Sequence, residues 1–468
     1  MNIITIVDSN WGISKEGSIP WNIEEIDNFL NDTISINKSN VIITNEGFNY
    51  KIINKKESDG EPVVFDELDS AMNYCIDNNY KVFIYGNSDL YKYYLHSRWS
   101  NVYIIQIEHN YQCDDFFPKE KLWNLTPVEL REFETVDKNN QLIYGIESIK
   151  TEMNSIKLKY MKYSKNYNII NKEERNYLDV LYDLIKCGDF RQTRNAKTWS
   201  LFGKMLEFDL SSHFPLLTTK RVNFRHIFEE LLFFLRGDTN VNHLADKGVH
   251  IWDKNTDRKF LDDHGFKEYK EGDMGEMYGF NFRHYGAEYK GMDEDYTGKG
   301  FDQIQYILNL LKTDKYSRRI IMTSFNPSTA HKGVLYPCHS IEVQFYVESE
   351  NRLSATVYNR SQDMFLGNPY NIASAALLIY LICEVLNNSQ PQNGQNILVP
   401  GRLMMFLGDC HLYENHYKQA IRQILREPLD FPQLHFNRKV KDLTDFKFED
   451  VELIGYKSHP NIKADMVA

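Results

Sequence analysis

Cys338 stands in the run Tyr336-Pro337-Cys338-His339, just ahead of a stretch in which Ile341, Val343 and Phe345 alternate with more polar residues. A thiol becomes a useful nucleophile when nearby cations stabilise its thiolate. The candidate cations are Arg318-Arg319 upstream; downstream, Asn359-Arg360-Ser361-Gln362-Asp363 carries a further guanidinium and a hydroxyl. A guanidinium beside a hydroxyl suits phosphate, because the planar fork donates parallel hydrogen bonds. Gly367-Asn368-Pro369-Tyr370-Asn371 then brings an amide, able to donate and accept, up to an apolar wall. Asp409-Cys410-His411-Leu412-Tyr413 puts His411 and Tyr413 on one strand face. Each piece alone also reads as ordinary structure: a buried cysteine, a solvated arginine pair, a capped turn.

These side chains need elements to hold them. Ile320, Ile321 and Met322 predict a strand that starts at the arginine pair, and two more strands follow Cys338 (Ile341–Phe345 and Leu353–Val357), the second leading to Asn359–Asp363. Ile372–Cys383, the longest apolar run, is shorter than the roughly 18 residues of a membrane span and predicts a fully buried helix. Glu174–Lys186 is an amphipathic helix through Leu178, Leu181 and Ile185, and Phe224–Leu235 is a second helix, carrying Ile227, Leu231 and Phe234 or Leu235 and ending at Gly237. Nearer the start, strand patterns at Ile3–Val7, Asn40–Thr44, Lys81–Tyr85 and Val102–Ile107 alternate with helical stretches from about Asn22 and at Glu67–Asp77. That alternation implies an α/β domain with a mainly parallel sheet, closed by an edge strand at Ser155–Tyr163. The polar, Asn-rich Ser164–Lys172 places a linker at 166–173, between domains at 1–165 and 174–468.

The whole chain of 468 residues carries 54 Lys+Arg and 65 Asp+Glu, a net charge of −11. The region 1–165 holds 17 basic and 25 acidic residues, so most of the excess lies there. An acidic chain is a poor general binder of nucleic acid or membrane surface, so an anionic ligand must meet individual arginines. The 42% apolar content excludes a largely disordered chain. Six scattered cysteines without a C-x-x-C pair argue against a disulfide framework or zinc ribbon and fit a reducing, cytoplasmic setting; no metal is expected. The opening MNIITIVDSNWG is too lightly charged for a signal peptide.

From Asn176 onward the chain resembles thymidylate synthase. The resemblance is carried by FPLLTTKRV (Phe214–Val222), EELLFFLRGDTN (Glu229–Asn240), IWD (Ile251–Asp253), RRIIM (Arg318–Met322), PCH (Pro337–His339), YNRSQDMFLGNPYN (Tyr358–Asn371) and GDCHLY (Gly408–Tyr413). It implies an α+β domain in which Cys338 adds to C6 of the uracil of dUMP. C5 then takes the one-carbon unit of 5,10-methylenetetrahydrofolate, giving dTMP and dihydrofolate. Glu230, His339, Asn371, Asp363 and Tyr278 complete the implied catalytic set. Arg194, Arg318, Arg319, Arg360 and Ser361 would hold the phosphate, Asn371 the pyrimidine edge, and His411 and Tyr413 the sugar. Folate would meet Ile251, Trp252, Asn255, Asp363, Leu366, Gly367 and Tyr370, with Val467-Ala468 as the closing terminus. The family shares its Arg318-Arg319 pair across a symmetric homodimer. Departures are Asn359 for the usual Gln, Asn281-Phe282 for Gln-Trp, and Arg194-Asn195-Ala196-Lys197-Thr198 for a Gly-rich run.

The first region resembles dihydrofolate reductase, through Val7-Asp8, Gly12–Trp21, Val82–Asn87 and Cys113–Pro118. That resemblance implies a buried acid, best matched by Glu25 and next by Asp27, and the cofactor NADPH. Against the cofactor, Thr44-Asn45-Glu46-Gly47 stands where the family has Gly-Arg-x-Thr, and Asn87 replaces the second Gly of a Gly-Gly pair. Ile105 stands where a threonine normally supports the acid. The fused reading is therefore a synthase preceded by a reductase-like domain that regenerates tetrahydrofolate. Alternatives are a non-catalytic docking or dimer-stabilising N-terminal domain, or a pyrimidine hydroxymethylase on the synthase scaffold.

Overall fold

A computed structural model describes residues 2–35, 40–46, 49–53, 63–78, 80–95, 99–122, 126–136, 155–164, 171–193, 196–389 and 397–467. The chain divides into two compact units: Met1–Ile170 with Ile421–Glu427, and Asn171–Ala420 with Pro428–Ala468. Of the expected linker at 166–173, residues 166–170 lie outside the described residues. The helix Lys172–Cys187 starts two residues ahead of 174, because the Asn171 side chain caps it by accepting from the Glu174 N–H at 3.0 Å.

The first unit is built on an eight-stranded sheet. Asn40–Glu46, Lys81–Ile84, Asn2–Val7 and Asn101–Ile107 are its parallel centre, in that spatial order. Their near-continuous apolar runs suit strands covered on both faces. Antiparallel strands extend both sides: Asn49–Ile53 and Val63–Phe65 on one, Ser155–Ser164 and Glu129–Val136 on the other. Ser155–Ser164 is thus an inner strand and not the expected edge; Glu129–Val136 takes the edge. Tyr160, Met161 and Tyr163 are all buried because both faces of the sheet are covered there: Tyr160 packs on Phe29 at 5.7 Å, while Met161 and Tyr163 join the core on the other face. The helices Glu24–Ser35, Leu68–Asp77 and Ser88–Leu95 alternate with the strands.

The second unit centres on a six-stranded sheet in the order Asp189–Gln192, Lys197–Asp209, Val399–Tyr413, Arg352–Asp363, Glu342–Val347, Ile321–Thr323. The helix Gly367–Ser389 packs on the strands Arg352–Asp363 and Val399–Tyr413 and on the helix Phe224–Leu235. It is long and apolar enough to cross a membrane, yet Ile372, Leu377, Ile379, Leu381 and Ile382 are buried here within the unit. Phe224–Leu235 has the expected bounds, and Gly237 just beyond it takes φ 75°, a left-handed turn that glycine adopts without steric cost.

Three local expectations are corrected. Arg318-Arg319 lie in a turn, and the strand starts only at Ile321. Asn359–Asp363 is the end of the strand Arg352–Asp363 and does not follow it, because Ser361–Asp363 still pair with Asp409–His411. Gly367–Asn371 is the first turn of the buried helix, where Pro369 is tolerated because first-turn N–H groups have no intrahelical partner.

Candidate functional site

Cys338 lies in the short connection that precedes the strand Glu342–Val347. Its Sγ is 3.5 Å from the Tyr278 hydroxyl, and its backbone N–H donates to that same oxygen at 3.1 Å. Burial pushes the thiol pKa up, while the Tyr278 hydrogen bond and the Arg360 guanidinium pull it back. Arg360 is held by two carbonyls of the preceding loop, donating to Pro337 O at 2.8 Å and Tyr336 O at 2.9 Å. The Ser361 N–H donates to Cys338 O at 3.3 Å, tying the strand end to the thiol loop. The His339 ring stacks on Tyr278 with centroids 4.4 Å apart, and burial lowers its pKa to about 4, so it is neutral at physiological pH. Tyr278 itself has φ 29°, a strained backbone of the kind stored at functional sites.

Behind Tyr278 lies Glu230, on the helix Phe224–Leu235. It is buried and accepts from Trp252 Nε1 at 2.8 Å, and burial raises its pKa to about 7. Trp252 and Phe234 pack on the Tyr278 ring at 6.2 and 5.0 Å. The carboxyl and the thiol are therefore joined through one aromatic cluster, and a carboxyl poised near neutrality can take up and release a proton.

Asn371 donates to Gln362 Oε1 at 3.3 Å, and the same oxygen accepts from Asn359 Nδ2 at 2.6 Å. Asn359 in turn accepts from the Ser340 N–H at 2.7 Å, two residues after the thiol. Gln362 was not singled out from sequence. The available signal was a glutamine at an inward-facing strand position, since a buried amide needs partners. It also accounts for the shorter Asn359, whose free amide hydrogen it receives. Asp363 Oδ1 accepts from the N–H groups of Phe365 and Leu366 at 2.9 and 3.2 Å, which fixes the turn into the buried helix. His411 and Tyr413 make a ring contact at 5.1 Å, as residues on one strand face should.

A cleft of about 540 Å³ is lined by Lys220, Arg221, Leu366 and Tyr370 and by Asn461–Asp465 of the C-terminal segment. Trp252 and Asn255 are buried and Ile251 is half-buried; Gly367 begins the long helix. Arg318 and Arg319 are exposed, and neither guanidinium has a hydrogen-bond or ion-pair partner among the described residues. Arg194 and Ala468 lie outside the described residues. No group of His, Cys, Asp and Glu able to hold a metal occurs among the described residues.

In the first unit, Glu25 is buried in the first turn of its helix and accepts from Thr135 Oγ1 at 2.6 Å. The hydroxyl that supports the acid thus comes from the edge strand Glu129–Val136, while Ile105 is a core residue. Thr135 escaped the sequence reading because this contact spans 110 residues.

A buried thiol beside a tyrosine and an arginine, a near-neutral buried carboxyl and an anchored amide on an α+β scaffold, preceded in the chain by an α/β unit with a buried acid, point to a two-part folate enzyme. The thymidylate synthase family matches residues 175–468 and the dihydrofolate reductase family residues 1–150. The bifunctional dihydrofolate reductase-thymidylate synthase of Zea mays is 34% identical, over 97% of this chain and 94% of its own length. The bifunctional enzyme of Paramecium tetraurelia is 33% identical, over 99% and 98%. The thymidylate synthase of Saccharomyces cerevisiae is 47% identical, over 63% of this chain and 97% of its own. The chain belongs to the bifunctional dihydrofolate reductase–thymidylate synthase family.

Proposed function

We propose that Cys338 is the nucleophile of the synthase reaction, adding through Sγ to C6 of dUMP so that C5 can accept the one-carbon unit of 5,10-methylenetetrahydrofolate. The observation that carries this is the contact of Cys338 with Tyr278, backed by the Arg360 guanidinium. Tyr278 and His339 form the wall beside the thiol. Glu230 exchanges the proton that the C5 chemistry requires, through the polar edge of the Trp252–Tyr278 cluster. Asn371, anchored by Gln362, presents an amide to the pyrimidine O4–N3 edge. His411 and Tyr413 face the sugar, and Arg360, Ser361 and Arg194 the phosphate. Folate occupies the cleft lined by Leu366 and Tyr370, alongside Ile251, Trp252, Asn255, Asp363 and Gly367, with Ala468 at the closing terminus.

The unit is proposed to work as a homodimer. Met205, Phe406 and Tyr358 are neighbours across three strands and are 52, 42 and 40% exposed, an apolar sheet face that asks for a cover. A second copy on that face would bring its own unpartnered Arg318 and Arg319 to the phosphate. Six unpaired cysteines support placement in the reducing cytoplasm.

The test is incubation of the full chain with dUMP and methylenetetrahydrofolate, following dihydrofolate and the nucleotide product. Formation of dTMP, abolished in Cys338→Ala, is the expected result, and unchanged turnover in that variant would sink the assignment.

A further inference from the structure

The reductase family implies NADPH, whose phosphates would need a place at the carboxyl ends of the parallel strands. In an open α/β sheet that is where ligands bind, with phosphate on the N–H groups of a helix N-terminus. The strands Asn40–Glu46 and Lys81–Ile84 end side by side here, followed by Gly86, Asn87 and the helix Ser88–Leu95.

At that helix start the N–H groups of Ser88 and Leu90 are already used, as are those of Asn87 and Gly86 just ahead of it, which leaves the Asp89 N–H, beside its own carboxylate, as the open backbone donor of the first turn. The Ser88 N–H donates to Asp115 Oδ2 at 3.2 Å and the Leu90 N–H to Asn87 Oδ1 at 3.1 Å. The Asn87 N–H donates to Asn45 Oδ1 at 3.3 Å and the Gly86 N–H to the Tyr91 hydroxyl at 3.1 Å. The bare face of Gly86, which could admit a pyrophosphate, is taken as well: a Cβ there would stand 2.5 Å from Asn45 Oδ1 and 2.7 Å from Leu90 Cδ2. A second phosphate-binding helix cannot follow Asn40–Glu46. Glu46 pairs directly with Asn49 in an antiparallel hairpin, whereas a parallel crossover needs a dozen residues or more.

We infer that the N-terminal unit carries its own anion, the Asp115 carboxylate, where a dinucleotide phosphate would sit, and that it does not take NADPH. A phosphate approaching Ser88 would meet a carboxylate about one hydrogen bond away, with Asp89 beside it and no arginine on either strand end. The cofactor does not fit, so no reductive step is derived for this unit. The inference is independent of the synthase assignment, whose test involves neither NADPH nor Asp115.

Hydrogen-exchange mass spectrometry on the full chain, with and without saturating NADPH, decides it. The segment 86–90 should be protected without nucleotide and unchanged by it, while protection of Asn2–Val7 and Asn101–Ile107 verifies that the unit is folded. Weak protection at 86–90 in the free protein, or a rise on adding NADPH, would overturn the inference, as would NADPH oxidation with dihydrofolate that Glu25→Gln removes. In Asp115→Ala, protection at Ser88 should fall by about tenfold or more with dTMP formation unchanged. Unaltered protection there would overturn the role given to Asp115.

Discussion

Glu230 is a carboxyl that burial has moved close to neutrality, up to about 7. The rate of dTMP formation should therefore show a limb near that pH. Glu230→Gln should remove the limb and slow turnover about 10²–10⁴-fold, read from pH–rate profiles of the two proteins. The sign for stability is fixed too. The folded protein holds this proton more tightly than the unfolded chain, so the contribution is full below the ordinary 4.5 and is lost as pH rises through about 7. Gln362 is the other residue with a distinct expectation. Gln362→Leu leaves the buried Asn359 amide without its acceptor, a loss of about 1–3 kcal/mol in the urea denaturation of the synthase unit. Because Asn371 loses the same anchor, KM for dUMP should rise more than kcat falls. An unchanged KM would remove Gln362 from the positioning of Asn371.

The helix carrying Glu230 and the segment carrying Tyr278 touch through a glycine. A Cβ on Gly279 would lie 2.7 Å from Phe234 O and 2.8 Å from Phe234 Cα, both backbone atoms that cannot step aside. Gly279→Ala should push the helix Phe224–Leu235 away from Tyr278. A displacement near 1 Å at a reacting centre costs about 10²-fold, so dTMP formation should fall by that order while the fold survives, as checked by circular dichroism. Elements of this unit were readable where apolar residues recur at helical spacing: Phe224–Leu235 carries Ile227, Leu231 and Phe234 or Leu235 in that pattern and appears at its full length. The long strand Lys197–Asp209 was not readable. Its residues mix Trp199, Phe202 and Met205 with lysines and a glycine, and it is a strand because Val399–Tyr413 pairs with it along nearly its whole length.

On the dimer proposal, the open sheet face is where two copies of the chain meet. Phe406→Asp places a charge on that face and should shift the full chain from dimer to monomer in sedimentation velocity, with dTMP formation lost because Arg318 and Arg319 no longer reach a partner's phosphate site. A monomeric wild type would end the dimer proposal. Net charge sits on the same scale. The acidic excess of residues 1–165 accompanies a strand end without arginine and an aspartate in an anion's place, whereas the phosphate contacts proposed for the near-neutral second unit are single arginines.

Residue identity and order determined the family of the second unit, through several motifs in sequence from Phe214 to Tyr413 whose pieces taken singly read as ordinary structure. Each motif is a run of a few adjacent residues, so it is legible along the chain whatever the fold does with it. Tertiary structure alone decided which distant groups complete them. Gln362 reaches Asn371 across a helix start, Thr135 supports Glu25 across 110 residues, and Asp115 fills the helix N-terminus at Ser88. Hydrogen bonds and burial act through space, so contacts closed by the fold leave no local pattern along the chain.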